Sequence, residues 1–466
     1  MDDKTLFDYQ VESINWLKDK KQAILAHEMG LGKTVIAIKA FDEITKGSSL
    51  THTQASVPKA LVICPSVARI NWLREFEMWS NIKRQYFLPE KLSENPPDDH
   101  TTICSYDYVA ANYSKLCNKT WDVLIVDEAH FIKSVNARRT KAILGSVGVA
   151  RASKRQWLLT GTPAPNNPSE LWVYLYTFGV TKLKHDAFMN RYCKVRHTSY
   201  GPSIYGAQNI PELRVLLAKV MLRFLKKDVM KELPPIKYGI THVLPGPVEL
   251  DFQASFAHFF FPNDRTEELQ KILSEENHLA SVMLNRTRAT AGEKLPIIEG
   301  LWRGTSTIRR FVGLQKVQAI VELVKTKFNG GTVEKLVIFA VHRDVIENLR
   351  VELRKLKLQP LTLYGGMPAW KRQKNIDKFQ TEARYKVFIA QVDAAGTAIT
   401  LTAAHDLIFA ELSYSPAVMA QCVMRCHRIG QVHKVNIEYI LLDNSFDSSI
   451  GKVLKRKVMM LTQIFD

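Results

Sequence analysis

The feature that most limits the possible folds is a series of short, unbroken apolar runs separated by stretches of helical periodicity. In the first half these are ALVICP (60–65), TTICSY (101–106), VLIVDE (123–128) and QWLLTG (156–161). A strand with one wet face alternates apolar and polar residues, whereas a run apolar throughout is buried on both faces. Such strands, joined by helices, form a parallel sheet, because a crossover helix returns the chain to the start of the next strand. A second series repeats the plan: KLVIFAV (335–341), LTLYGG (361–366), YKVFIA (385–390), DLIFAE (406–411) and NIEYILL (436–442).

A chain of 466 residues is too long for one ordinary core. We therefore expect an α/β protein with two parallel-sheet lobes in tandem. Residues 166–235 read as a helical insertion without strand signals, and 250–300 as a second one. KELPPIK (231–237) and LPGP (244–247) form a proline-rich hinge, which places one lobe over 1–235 and the other over 236–466. The end, DSSIGKVLKRKVMMLTQIF, has a serine cap and a basic amphipathic pattern and reads as a closing helix over 447–466.

Lys and Arg outnumber Asp and Glu by 64 to 46, a net charge of +18. That surplus suits a polyanion such as nucleic acid, although solubility alone would account for it as well. No segment approaches the roughly 18 uninterrupted apolar residues of a membrane span, and residues 1–20 lack the plan of a secretion signal. The expectation is a soluble, intracellular chain without a membrane partner. Of the six cysteines, Cys422 and Cys426 stand with His427 and His433 in QCVMRCHRIGQVH. No second ligand pair at zinc-finger spacing follows, so they read as reduced core thiols.

The chemistry begins at AHEMGLGKTVIAIKA (26–40). Gly30 and Gly32 allow a tight turn whose backbone N–H groups point inward at phosphate oxygens, and a helix starting near Lys33 adds its positive end. Lys33 would reach the β- and γ-phosphates, and the Thr34 hydroxyl would ligate Mg²⁺. Downstream, VLIVDEAH runs from a buried strand to Asp127 and Glu128 at the carboxyl edge of the sheet. Asp127 suits a water-linked Mg²⁺, and Glu128 suits activation of the attacking water. Two acids preceding a helix can also serve the helix dipole. Loop and acids together point to a nucleoside triphosphate.

With these residues in place, the sequence resembles the superfamily 2 helicase-type ATPases. HEMGLGKT with LVICPSVARINWLREFEMW and HRIGQ narrows the resemblance to the Swi/Snf family of double-stranded-DNA translocases, from Phe7 to about Lys457. It implies two RecA-like lobes, each with a helical insertion, and ATP with Mg²⁺ as cofactors. In FDYQ, Gln10 matches the adenine-reading position. Glu28, Met29, Gly30, Leu31, Gly32, Lys33 and Thr34 match the nucleotide loop, and Gly396 in VDAAGTAITL joins the nucleotide set. His130, Thr160, Gly161 and Thr162 match positions linking ATP state to DNA grip. RFLKKDVMKELPP (223–235) matches the basic-to-proline segment leaving the first lobe. QCVMRCHRIGQ carries Gln421, Arg425 and Arg428, the arginines one helical turn apart and so facing the same way.

By the same resemblance, those arginines meet the γ-phosphate across an inter-lobe cleft, completing a catalytic set with Lys33 and Glu128. Ser66, Arg69, Asn71 and Ser105 in the first lobe, with Arg343, Lys371, Arg372 and Thr400 in the second, would hold the DNA backbone without reading sequence. Three positions depart from the family: His27 replaces the usual Asp, Pro165 replaces a common Gln, and AELSYSP (410–416) lacks Trp-Asn-Pro. The last departure brings the chain nearer the annealing-helicase and fork-remodeller branch. At His27 we expect altered hydrogen bonding with catalysis retained. The implied activity is ATP-dependent translocation on duplex DNA by a monomer. A strand-separating helicase, a motor subunit of a larger complex and a non-catalytic DNA-binding scaffold remain as alternatives. The compact motor suggests a bacterial cytoplasm or nucleoid, or a phage or virus, rather than a eukaryotic nucleus.

Overall fold

The computed structural model describes residues 5–49, 58–198, 201–230, 233–244, 306, 309–395, 399–428, 430–442 and 445–465. The chain divides into two compact units. The first comprises Met1–Val195, Ile204–Glu232 and Met459–Asp466, and the second Arg196–Ser203 and Leu233–Val458.

The first unit is built on β1 (Gln22–Leu25), β2 (Ala60–Cys64), β3 (Tyr86–Phe87), β4 (Thr101–Ser105), β5 (Trp121–Asp127) and β6 (Ser153–Leu159). β7 (Cys193–Thr198) and β8 (Gly201–Ala207) form a separate two-stranded sheet. The short β9 (Met221–Leu222) closes the main sheet, whose order is β3-β4-β2-β5-β6-β1-β9 with every pairing parallel. Alternate residues of each run feed different cores. Leu124 and Val126 pack with Leu61, Ile63 and Leu158 on one face, while Val123 and Ile125 pack with Val62, Trp157 and Leu159 on the other. That is why the runs show no polar beat. Helices Asp8–Lys18, Lys33–Ser49 and Arg69–Trp79 cover the second face, and Tyr106–Cys117, Arg138–Leu144 and Trp172–Thr177 the first.

The second unit repeats the scheme with β10 (Ile236–Val243), β11 (Leu336–Ala340), β12 (Leu361–Leu363), β13 (Val387–Gln391), β14 (Asp406–Phe409) and β15 (Val435–Leu442). Their order is β10-β15-β14-β11-β13-β12, again parallel throughout. Val337 and Phe339 face one core, and Leu336, Ile338 and Ala340 the other. The closing helix spans Phe446–Phe465; Asp447 N–H donates to Ser445 Oγ at 3.2 Å, so the capping serine is Ser445, ahead of the DSS run, whose two serines lie within the helix. Its start is fixed by Lys316, whose buried ammonium donates to Asp447 Oδ2 at 2.8 Å and to Ile440 O at 3.0 Å. Removing either partner would strand a buried charge.

One reading needs correction. The segment 166–235 is mixed, since β7, β8 and β9 stand among its helices. β9 has two residues, β7 carries charges as in CKVRHT, and β8 (GPSIYGA) holds two glycines and a proline, so no apolar run announces them. The two units part between Glu232 and Leu233, inside KELPPIK, and Pro234 and Pro235 lead directly into β10, an edge strand whose Tyr238 and Ile240 are exposed. Prolines at a strand entrance remove no ladder bond. The helical reading of 250–300 lies outside the described residues. Among the described residues, no helix is long and apolar enough to cross a membrane.

Candidate nucleotide site

The loop between β1 and the helix Lys33–Ser49 adopts backbone angles that only glycine takes without strain at two points, Gly30 (φ 84°) and Gly32 (φ 72°). A Cβ on Gly32 would lie 2.4 Å from Gln10 Nε2, so the carboxamide of Gln10 rests directly on the loop. Gly161 serves similarly from β6, since a Cβ there would meet Met29 Cγ at 2.6 Å. Lys33 Nζ donates to the carbonyls of His27 (2.8 Å) and Glu28 (3.3 Å), and burial pulls its pKa below the usual lysine value. These carbonyls hold the ammonium in a place from which phosphate oxygens would draw it.

The segment after β9 clasps the loop from the other side. Glu28 N–H donates to Phe224 O at 2.9 Å, Lys226 N–H donates to Glu28 Oε2 at 2.8 Å, and Arg223 donates to Ala26 O at 3.0 Å. Arg223, Phe224 and Lys226 belong to RFLKKDVMKELPP. Nothing in their spacing reveals that they return to β1.

Asp127 and Glu128 close β5. Asp127 Oδ2 accepts from Trp72 Nε1 at 2.9 Å, and Oδ1 accepts the Glu128 N–H at 3.0 Å. Burial, then the charge of Glu128, pushes the Asp127 carboxyl up to about 6 despite the opposing pull of Trp72 and Lys33. Two crowded carboxylates and the hydroxyl of Thr34 are hard oxygen donors that suit a cation such as Mg²⁺. Glu128 itself adopts a left-handed backbone (φ 53°, ψ 50°), an uncommon state for a residue with a Cβ. Its Oε2 lies 3.2 Å from His130 Nδ1, which in turn lies 3.4 Å from Thr160 Oγ1. Thr160 Oγ1 also accepts the Thr162 N–H at 3.1 Å. The residues expected to relay the nucleotide state thus form one polar chain from β5 to the end of β6.

The raised Asp127 pKa has a stability consequence. An acid whose folded pKa exceeds its unfolded one costs stability once ionised, and that cost is absent below about pH 4 and complete above about pH 6. Asp127→Asn removes that cost but leaves one of the two donors, Trp72 Nε1–H or the Glu128 N–H, against an amide NH2, so its effect on the stability of the nucleotide-free protein should be more favourable at pH 7.5 than at pH 4 by about 3 kcal/mol. Thermal unfolding at the two pH values checks this; an equal shift at both would contradict it.

In the second unit, Gln421 is buried in the helix Pro416–Val423. Arg425 and Arg428 lie beyond the end of that helix, in successive turns where Arg425 N–H donates to Cys422 O (3.1 Å) and Cys426 N–H to Val423 O (3.0 Å). The expected helical spacing is thus replaced by a turn. Arg428 Nη1 donates to Thr400 Oγ1 at 2.8 Å, and Leu401 N–H donates to Arg425 O at 2.8 Å. Gln431 was overlooked as a site residue. Its buried Nε2 donates to the carbonyls of Thr402, Ala404 and Cys426 at 3.1–3.2 Å, which locks the arginine turn to the loop after β13. Cys422 Sγ donates to Val392 O at 3.5 Å, with burial pushing this thiol up to about 12. His427 Nε2 donates to Pro234 O at 2.8 Å. Gly396 lies outside the described residues.

The candidate DNA contacts fall at the carboxyl ends of strands. Ser66 and Asn71 are exposed after β2, while Arg69 is drawn inward, its Nε donating to Ser66 O (3.3 Å) and its Nη1 to Pro89 O. Ser105 caps the helix Tyr106–Cys117 by accepting from Tyr108 N–H at 3.2 Å. Arg343 stacks on Tyr364, 4.4 Å from the ring centre, and Lys371 is exposed at the start of the helix Ala369–Thr381 beside a half-buried Arg372.

The SNF2-related domain matches residues 9–292, and the helicase conserved C-terminal domain matches residues 315–430. The chain is 27% identical over 473 residues to the SWI/SNF-related matrix-associated actin-dependent regulator of chromatin subfamily A-like protein 1 homolog of Caenorhabditis elegans, covering 98% of this chain and 62% of that protein. It is 28% identical over 462 residues to the DNA annealing helicase and endonuclease ZRANB3 of Homo sapiens, covering 95% and 39%. A Sulfolobus solfataricus SWI2/SNF2 ATPase core solved in complex with dsDNA aligns over 99% of this chain and 93% of that one, at 21% identity and a TM-score of 0.44. The chain spans less than two thirds of the length of the curated relatives named. The SNF2-related match alone covers more than half of the sequence, and the chain belongs to the SNF2-related family, with a helicase conserved C-terminal domain.

Proposed function

We propose that this chain is an ATP-driven translocase on double-stranded DNA. The observation that carries the reading is that Lys33, Asp127 and Glu128 issue from one edge of the sheet: Leu25, which ends β1 before the loop, and Asp127, which ends β5, both stand opposite Leu159 of β6. A triphosphate fits there because the glycine turn leads straight into the N-terminus of the helix Lys33–Ser49, and the Lys33 ammonium rests on the carbonyls of His27 and Glu28. Bound Mg²⁺, held by Thr34 and Asp127, would offset charge on the β- and γ-phosphates. Glu128 takes the proton of the attacking water, and His130 orients the carboxylate through its 3.2 Å contact. Arg425 and Arg428 stabilise charge that develops on the departing phosphoryl group.

Alternate grip on the DNA backbone turns hydrolysis into movement. Hydroxyls and cations on phosphates read no sequence, as tracking requires, and the surplus of positive charge draws the duplex in. Thr400 sits in both roles, as a candidate backbone contact and as the acceptor for Arg428. It offers a short route from DNA to the catalytic arginine. We propose an intracellular, monomeric protein; the relatives named above are animal proteins and lend no support to a bacterial or phage source.

Phosphate release with and without blunt duplex tests the activity, and displacement of a third strand from a triplex tests translocation. Free single strands released from a duplex would instead favour a strand-separating helicase, and absence of stimulation by DNA a scaffold. With about five phosphate contacts, raising salt from about 50 to 200 mM should weaken the apparent DNA affinity roughly 500-fold while basal turnover changes little. A salt-independent affinity would contradict backbone recognition.

A further inference from the structure

His27 is buried completely, yet the mechanism above uses only its carbonyl. Its side chain is fixed at both ring nitrogens. Phe224 N–H donates to Nδ1 at 3.1 Å, which places the ring proton on Nε2. Nε2 then donates to Ser13 Oγ at 2.7 Å, and Ser13 Oγ donates to Tyr9 O at 2.6 Å. The three bonds run in one direction from the segment after β9, through the loop, into the helix Asp8–Lys18. That helix carries Gln10, and it meets the loop again where Tyr9 Oη donates to Leu31 O at 3.3 Å.

We propose that His27 is a positioning residue for base selection, its imidazole joining the Gln10 helix to the phosphate loop so that base reading and phosphate holding share one rigid frame. This rests on the nucleotide reading above. The side chain must both accept and donate for the relay to run, and a neutral imidazole does so. An aspartate accepts only; it would take Phe224 N–H and compete with Tyr9 O for the Ser13 proton. The ring also stays uncharged, because burial and the nearby Lys33 and Arg223 hold its pKa down to about 3. A charged imidazole in its place would add a cation beside Lys33. Ser13 stands in no motif and Phe224 lies in a segment without a sequence link to the loop, so only the folded chain shows the connection.

The experiment compares the full chain with His27→Asn, which keeps an acceptor near the Nδ1 position and loses the donor to Ser13, with Ser13→Ala, and with the double variant. Steady-state turnover with ATP and with GTP is measured at saturating duplex, at a temperature where all four proteins are folded by circular dichroism. Each single variant should raise KM for ATP about tenfold, as expected for one buried hydrogen bond, with kcat held within about twofold. The preference for ATP over GTP should fall by the same factor, and the double variant should be no worse than either single one. Unchanged ATP preference, additive losses or a fall in kcat at constant KM would overturn the assignment. A wild type that hydrolyses no nucleotide, or shows no preference for ATP, would overturn the underlying nucleotide reading in the control arm, before any variant is considered.

Discussion

Glu128→Gln should leave ATP binding intact while lowering turnover by about 10²–10⁴-fold, the range for loss of a general base. The substitution keeps shape and the left-handed backbone at this position, and it leaves the contacts of Lys33 with the His27 and Glu28 carbonyls untouched. What it removes is the ability to take a proton. A second consequence follows from the raised pKa of Asp127: the Glu128 charge is one of its causes, so the midpoint near 6 should move downward in the variant. Nucleotide affinity should hold or tighten, because one negative charge leaves the neighbourhood of the triphosphate. Single-turnover phosphate release, paired with binding of a fluorescent ATP analogue, measures both. Turnover within tenfold of wild type would remove Glu128 from the role of base.

Arg428→Ala should lower kcat by about 10³-fold with a much smaller change in KM, since a guanidinium that meets the departing phosphoryl group acts only in the transition state. Its ground-state partner in the second unit is Thr400 Oγ1 at 2.8 Å, a contact that holds the fork in place. Arg428→Lys should recover little, because a lysine ammonium cannot reproduce two parallel donors. An equal loss of affinity and rate would mark Arg428 as a ground-state ligand.

The sequence by itself determined the sheets. The runs around Val123–Val126 and Leu336–Ala340 lack polar residues because alternate side chains enter opposite cores, and that pattern survives whatever the helices do. It also determined the phosphate loop, whose glycines at positive φ and following lysine are local requirements of one short turn. Edge strands were poorly legible. β9 has two residues, and β10 alternates with exposed Tyr238 and Ile240, so neither carries the doubly buried signature.

Only the tertiary structure decided which distant segments complete the site. Arg223, Phe224 and Lys226 reach the loop because β9 pairs with β1, a long-range pairing that no local pattern encodes. The same holds for Gln431, whose amide finds three carbonyls from separate turns. His27 makes the point most directly. Its identity could be read as a departure, but its neutrality, its tautomer and its partners exist only once burial removes water and Ser13 and Phe224 arrive from either side. Hydrogen-bond direction is a property of the assembled neighbourhood, and a linear pattern holds only the groups that will take part in it.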